Sequence, residues 1–257
     1  MIKIEKVDVV GWEHAIRGMR NSWNSWEKSD SFECDDDDCQ KGLCPYFTVD
    51  GENSEYAECN KYDLHMSNFI VGKNDLDLMK KLCKAGSDER KFMRMIVVYA
   101  DITAPMYWWK EADTYKVGTV RNSCSTMHSI TENEFTPDDF SYEHLIENPD
   151  LFKVDEISIP DSDGYKLYSP KDILTEWIIP SLNACREEYL KTKDKKYWWQ
   201  IIQLLPSSYN QKSTVMLNYE VLANMYNSRK NHRLDEWKTF CAWIETLPYS
   251  ELITGRE

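Results

Sequence analysis

Residues 203–229 read QLLPSSYNQKSTVMLNYEVLANMYNSR. Leu204-Leu205-Pro206 closes one element, because proline lacks a backbone N–H. Beyond it the pattern predicts a helix over 214–230 carrying Asn218, Asn224 and Arg229 among apolar residues. Asn218 and Arg229 are eleven residues apart, close to three helical turns, so on such a helix both side chains leave one face. Asn224 sits about a third of a turn away, in line with Leu217, Val221 and Ser228. Two readings of this face stay open. The amides and guanidinium are aimed at a ligand, or they cap, pair and face water.

Outward from this stretch the chain is mostly helical. Leu234, Trp237, Cys241 and Ile244 space a last amphipathic helix that ends before Pro248. Upstream, helices are expected near 171–190 and 194–203. Residues 131–170 are acidic and hold Pro137, Pro149, Pro160 and Pro170. They read as an irregular connection with short helices, a lid in outline. The continuous run Met95-Ile96-Val97-Val98-Tyr99 marks the best strand, over 92–105, and Ala104-Pro105 stops it. An aromatic helix from Met106 to about Lys116 comes next. Asp75–Lys84 is amphipathic, with Asn74 or Asp75 as its cap and Gly86 as its end. Residues 12–20 form a short helix. Residues 2–10 alternate with a period of two, slipping at Lys6. Few strands among many helices predict an α+β fold.

The chain has 257 residues, 42% hydrophobic and 13% aromatic, which is a globular composition. The paired tryptophans Trp108-Trp109 and Trp198-Trp199 read as aromatic core or subunit interface. A net charge of −13 argues against nonspecific binding to nucleic acid or to an anionic membrane. A small anionic ligand needs only a local cluster of donors. No signal-peptide core and no long apolar run is present, so a cytoplasmic protein is expected. No phosphate-binding glycine loop occurs, and none of the histidines lies in a nucleophile signature.

Eight cysteines are present. Cys83, Cys124, Cys185 and Cys241 are scattered and read mostly as small buried residues. Cys34, Cys39, Cys44 and Cys59 share one polar stretch. Their spacing allows a structural zinc site, with His65 as an alternative ligand. It equally allows unpaired thiols or disulfides formed after purification. The acidic run Asp35–Asp38 reads as a solvated face.

Pro206, Asn218, Asn224 and Arg229 have the spacing of the C-terminal core of the flavin-dependent thymidylate synthases, which this segment resembles. Asp235-Glu236-Trp237 approximates the Gln-Trp-Glu-like run that comes next there. Ala15–Ser22 resembles the early Ala-Arg-x-Ser segment, whose serine contacts flavin. Gly86-Ser87-Asp88-Glu89-Arg90 resembles the turn in which a histidine helps to hold FAD, and Glu89 stands near that histidine. The family signature Arg-His-Arg-x-x-Ser is replaced by Thr114-Tyr115-Lys116-Val117-Gly118-Thr119. The second half, Asn-Glu-x-Ser-x-Arg-Tyr, is approximated by Asn122 and Ser125, with Met127 at the expected arginine.

The resemblance implies a small central antiparallel sheet packed with long helices, and one domain over 1–257. A Cys- and Asp-rich insertion at 27–72 is unlike the family. It implies Ser22, Glu89, Asn218 and Asn224 as FAD-binding residues. Lys116, Thr119, Ser125, Gln203 and Arg229 are implied for the substrate, with Arg229 and Ser125 nearest the chemistry. Gln200 is an alternative to Gln203. Arg121, Arg17 and Arg20 are further candidates for a phosphate. The implied reaction is methylation of a uridine nucleotide, dUMP to dTMP, with methylene tetrahydrofolate and NADPH in a homotetramer. The alternatives are a flavin- or nucleotide-binding homologue with altered or lost catalysis, and an interaction module that keeps only the fold.

Overall fold

The computed structural model describes residues 2–33, 69–148, 159–161, 164–166 and 168–256. It is α+β, with a small antiparallel sheet among helices. It divides into two compact units. The larger comprises 2–102, 112–122 and 213–257, and the smaller chiefly 103–111 and 123–212.

The larger unit opens with strand β1 (Lys3–Val10) and helix α1 (Trp12–Arg20). The slip at Lys6 is real: its φ is 51°, the left-handed value that marks a local bulge. Gly11 precedes α1 at φ 94°, and a Cβ there would lie 2.1 Å from the Met95 carbonyl oxygen, so only glycine fits. Trp12, Ala15, Ile16, Met19 and Arg20 form the buried face of α1, the i, i+3, i+4 pattern of an amphipathic helix.

The short strands β2 (Phe32–Glu33) and β3 (Phe69–Ile70) pair antiparallel. Helix α2 (Lys73–Ala85) comes next and ends at Gly86, as expected. Its cap is not local, however. The Asp30 carboxylate accepts from the N–H groups of Asn74 (2.8 Å) and Asp75 (3.1 Å). Asp75 is instead fully buried against Arg20.

Strand β4 (Val97–Pro105) starts later than the apolar run suggested, because Arg90–Arg94 forms a 3-10 turn. Helix α3 (Met106–Ala112) is shorter than expected. Strand β5 (Thr119–Ser123) and helix α4 (Thr126–Ser129) come next. In the smaller unit a hairpin of β6 (Ile159–Asp161) and β7 (Gly164–Lys166) precedes the turn α5 (Pro170–Asp172). A π-helical stretch, Ile173–Ile178, leads into α6 (Ile179–Thr192), and α7 (Lys195–Leu204) packs on α6. Pro180, which cannot donate, stands where the π-stretch gives way to α-helix. Ile130, Phe135, Phe140, Leu174, Ile179, Leu182 and Ile201 make this unit's core.

Strand β8 (Asn210–Asn218) corrects the helix expected over 214–230. That helix begins only at Tyr219, so Asn218 is the end of a strand and not part of a helix face. Ser213, Val215 and Leu217 are buried in alternation, the period of a strand. Leu217 alone also fits a helical stripe with Val221, and sheet pairing decides for the strand. The strand order of the sheet is β1-β4-β8-β5. Helices α8 (Tyr219–Arg229), α9 (Asp235–Glu245) and α10 (Glu251–Thr254) complete the chain. Helix α8 is buried nearly all round through Tyr219, Val221, Leu222, Ala223, Met225 and Tyr226, and it packs on α9 and α10. Among the described residues no helix is long and apolar enough to cross a membrane.

Candidate functional site

Asn218 joins β8 to α8. Its backbone N–H donates to the Gly118 carbonyl at 3.0 Å, which fastens the end of β8 to the turn before β5. Its side-chain Oδ1 accepts from the Val221 N–H at 2.9 Å and so caps α8. Its Nδ2 lies against Gly118, which has φ 80°, and a Cβ on Gly118 would sit 2.3 Å from that nitrogen. Glycine at 118 therefore serves both the backbone turn and the close approach of an amide.

The same turn reaches the far end of α8. Arg229, in the last helical turn, donates from Nε to the Tyr115 hydroxyl at 3.0 Å. Its guanidinium lies 5.6 Å from the centre of the Tyr115 ring and 4.9 Å from that of Trp237. Trp237, from the first turn of α9, is fully buried and is met edge-on by Phe240. The two rings touch each other, their centres 6.2 Å apart, and a guanidinium at the corner of such a pair gains about 0.5–2 kcal/mol, depending on how dry the site is. The Thr119 hydroxyl donates to the Tyr115 carbonyl and closes the turn. Lys116 is in that turn too, with an exposed side chain.

Of the residues chosen from the sequence, Asn218, Thr119 and Arg229 are thus tied through one segment, Tyr115–Thr119. Asn224 is exposed on α8 between buried Ala223 and Met225, in the same unit. Ser22, on a 3-10 turn after α1, and Glu89 are also in that unit, and both are exposed. Ser125 and Gln203 belong to the smaller unit. The Ser125 carbonyl accepts from the Ser129 hydroxyl at 2.7 Å at the start of α4, and Gln203 is exposed on α7. Tyr115, Gly118 and Trp237 were not singled out from the sequence, although each stands inside a segment quoted for the resemblance.

Two cation candidates are engaged by carboxylates, one buried and one exposed. Arg20 is buried, and its Nε donates to Asp75 Oδ1 at 2.6 Å. Burial pushes the Asp75 carboxyl up, but hydrogen bonds from Ser31, Ser29 and Arg20 outweigh it and hold the group below its ordinary value. Arg121 donates from Nη1 to the exposed Asp113 at 2.7 Å and from Nε to Ser213 at 2.9 Å, a surface pair that answers its charge only in part.

A cavity of about 360 Å³ adjoins Arg20, lined among others by Ile16, Arg17, Trp26, Phe32 and Phe69. Burial pushes the thiols of Cys83 and Cys241 up to about 11, which leaves both protonated and poor nucleophiles near neutral pH. Of the four scattered cysteines only Cys241 is fully buried; Cys83 and Cys185 are half-buried and Cys124 is exposed, contrary to the expectation that most are buried. Cys34, Cys39, Cys44, Cys59 and His65 lie outside the described residues, as does the acidic run Asp35–Asp38. Among the described residues no group of His, Cys, Asp and Glu is arranged to hold a metal ion.

The fold that sets this geometry is that of the flavin-dependent thymidylate synthases. Thymidylate Synthase X from Helicobacter pylori, crystallised with FAD and dUMP, superposes with a TM-score of 0.56 at 13% identity, over 98% of this chain and 96% of that one. A flavin-dependent thymidylate synthase from the same organism, complexed with FAD and dUMP, gives 0.53 at 14% identity, over 96% of each chain. The UMP/dUMP methylase PolB from Streptomyces cacaoi, bound with 5-Br dUMP, gives 0.51 at 14% identity, over 99% of this chain and 95% of that one. At such identities the likeness is one of fold. No protein-family model matches the chain, and no curated protein matches its sequence.

Proposed function

We propose that the chain binds FAD and a uridine monophosphate and methylates the pyrimidine, dUMP to dTMP. The observation that supports this most directly is the linkage of Asn218 and Arg229 through one turn, on a fold whose solved examples hold FAD and dUMP. The available donors and acceptors suit a flavin dinucleotide. Ser22, Asn218 and Asn224 offer hydroxyl and amide groups that meet the polar edges of a ring system. Capping occupies Oδ1 of Asn218, so Nδ2 is its donor toward a ligand. Glu89 only accepts, which suits ribose hydroxyls. Bound FAD would supply reducing equivalents drawn from NADPH, and methylene tetrahydrofolate the carbon.

The chain's own task is then to bind and orient the nucleotide. Arg229 offers charge-assisted hydrogen bonds to its anionic groups. Lys116 adds a point charge on the turn that holds Arg229, and Thr119 contributes a hydroxyl to that turn. Ser125 and Gln203 are proposed as substrate residues on the resemblance alone. A homotetramer and a cytoplasmic location are proposed on the same ground.

Purified protein supplied with excess FAD should show flavin absorption bands that stay with the chain on gel filtration. Protein that takes up no FAD refutes the proposal. Methyl transfer to deoxyuridine monophosphate, with all three cosubstrates present, then tests the reaction. A second reading, a flavin- or nucleotide-binding homologue with altered chemistry, is favoured by one specific observation. Arg20 and Arg121 are paired with Asp75 and Asp113, which thins the positive charge available to a phosphate.

A further inference from the structure

We propose that Tyr115 is a positioning residue: with Trp237 it fixes the Arg229 guanidinium in the orientation that receives a nucleotide. The inference rests on the nucleotide-binding reading above and deepens it. Arginine side chains have much rotamer freedom, and a ligand that must first order one loses affinity. Here three contacts limit that freedom. The Tyr115 hydroxyl accepts from Nε at 3.0 Å, the Tyr115 ring lies 5.6 Å from the guanidinium, and the Trp237 ring lies 4.9 Å from it. Trp237 cannot swing away, being fully buried and packed edge-on against Phe240 at 5.6 Å.

Tyr115 is itself held. Its N–H donates to the Ala112 carbonyl at 3.1 Å, and its own carbonyl accepts from the Thr119 hydroxyl. Gly118, three residues on, is bonded to Asn218 at the other end of α8. One short turn therefore sets the strand end that bears Asn218 and the helix end that bears Arg229. Tyr115 occupies the place where the resembling enzymes carry the histidine of their signature. The phenol is longer than an imidazole, and its oxygen is what Arg229 reaches. A signature that looks degraded as a sequence is thus rebuilt, in this chain, as a support for an arginine.

The test uses the full chain with FAD in excess and titrates deoxyuridine monophosphate by calorimetry, with the flavin spectrum recorded in parallel. Tyr115→Phe keeps the ring and removes the acceptor. It should weaken nucleotide binding about 3- to 10-fold, the range of one hydrogen bond. FAD affinity should stay at its wild-type value, and the unfolding midpoint should fall by only about 1–6 °C, the cost of one hydrogen bond, so that of the two ligands only the nucleotide is affected. Arg229→Ala should weaken nucleotide binding on the order of 30-fold, as expected for a lost charged hydrogen bond. Adding Tyr115→Phe to Arg229→Ala should then change nothing further, because the residue it positions is gone. Wild-type protein that binds the nucleotide, with Tyr115→Phe binding it equally well, overturns this inference and leaves the reading of the site intact. Additive losses in the double variant overturn it as well. Wild-type protein that binds no uridine monophosphate overturns the reading itself and this inference with it.

Discussion

Gly118→Ala probes the geometry at the junction of β8 and α8. Alanine at a φ of 80° costs about 1–2 kcal/mol of backbone strain. Its Cβ would also stand 2.3 Å from Asn218 Nδ2, and an amide at the end of a side chain gives way by turning aside. That withdraws Oδ1 from the Val221 N–H and uncaps α8, a loss of about 1 kcal/mol. The single variant should therefore lose roughly 2–3 kcal/mol, which for a chain of this size lowers the melting midpoint by roughly 4–12 °C. Asn218→Ala removes the same cap directly and should lose about 1 kcal/mol. In the double variant the cap can be lost only once. Its total should stay at roughly 2–3 kcal/mol, so the cycle shows a coupling of about 1 kcal/mol. The assay is urea unfolding of all four proteins, monitored by far-ultraviolet circular dichroism. Additivity within about 0.5 kcal/mol would refute the argument that Gly118 is glycine for the sake of the Asn218 amide.

Asn218→Ser retains a capping oxygen and should hold stability within about 0.5 kcal/mol, yet it should weaken FAD binding if Nδ2 serves the cofactor. Equal flavin affinity would assign Asn218 to capping alone. Asn224→Ala, at an exposed position, should weaken FAD with no stability change beyond about 0.5 kcal/mol. Asp75→Asn leaves Arg20 buried without its anion and should lose about 3–5 kcal/mol. The Asp75 carboxyl is held low in the folded state, so its contribution is complete above the unfolded carboxylate value of about 3.9 and lost as pH falls through the folded value. The acid limb of wild-type stability below about pH 4 should accordingly flatten in the variant, and an unchanged limb would place the acid sensitivity elsewhere. Arg229→Ala should cost about 2–4 kcal/mol of transition-state stabilisation in kcat/KM, whereas Lys116→Ala should act mainly on KM. If Cys34, Cys39, Cys44 and Cys59 hold zinc, metal analysis of protein purified without chelator should find about one ion per chain.

The parts of the fold that could be read from the sequence are those set by near neighbours. Helix α1 comes from Trp12, Ala15, Ile16 and Met19, and Gly86 ends α2 where its position said it would. The reading failed where distant groups decide. Asp30 caps α2 from 44 residues away, a partner no local pattern can supply. Ser213, Val215 and Leu217 alternate as a strand does, but Leu217 also lines up with Val221 as on a helix, and the sheet claims the segment as far as Asn218. The error moved Asn218 off a helix face but left it a candidate, because its spacing from Pro206 and Arg229 is that of a resemblance and not of a helical face.

The sequence offers residue identities for a site and little of their geometry. Arg229 could be named, but its support is Tyr115, 114 residues away in the chain. Composition was the least informative guide. A net charge of −13 says nothing about how each cation is held. Arg20, Arg121 and Arg229 are equivalent in the sequence as positive charges, and the structure separates them by their surroundings. Arg20 is locked onto Asp75 and Arg121 onto Asp113, each by a short hydrogen bond to a carboxylate. Arg229 is held in addition by contacts of another kind, a neutral hydroxyl at Nε and two aromatic rings whose centres lie 5.6 and 4.9 Å from its guanidinium carbon. A ring beside a guanidinium fixes its orientation without drawing on the in-plane N–H groups that grip an anion in a fork. Orientation is therefore the property that sets Arg229 apart among these three arginines, and nucleotide titration of Tyr115→Phe against wild type is the measurement on which that distinction stands.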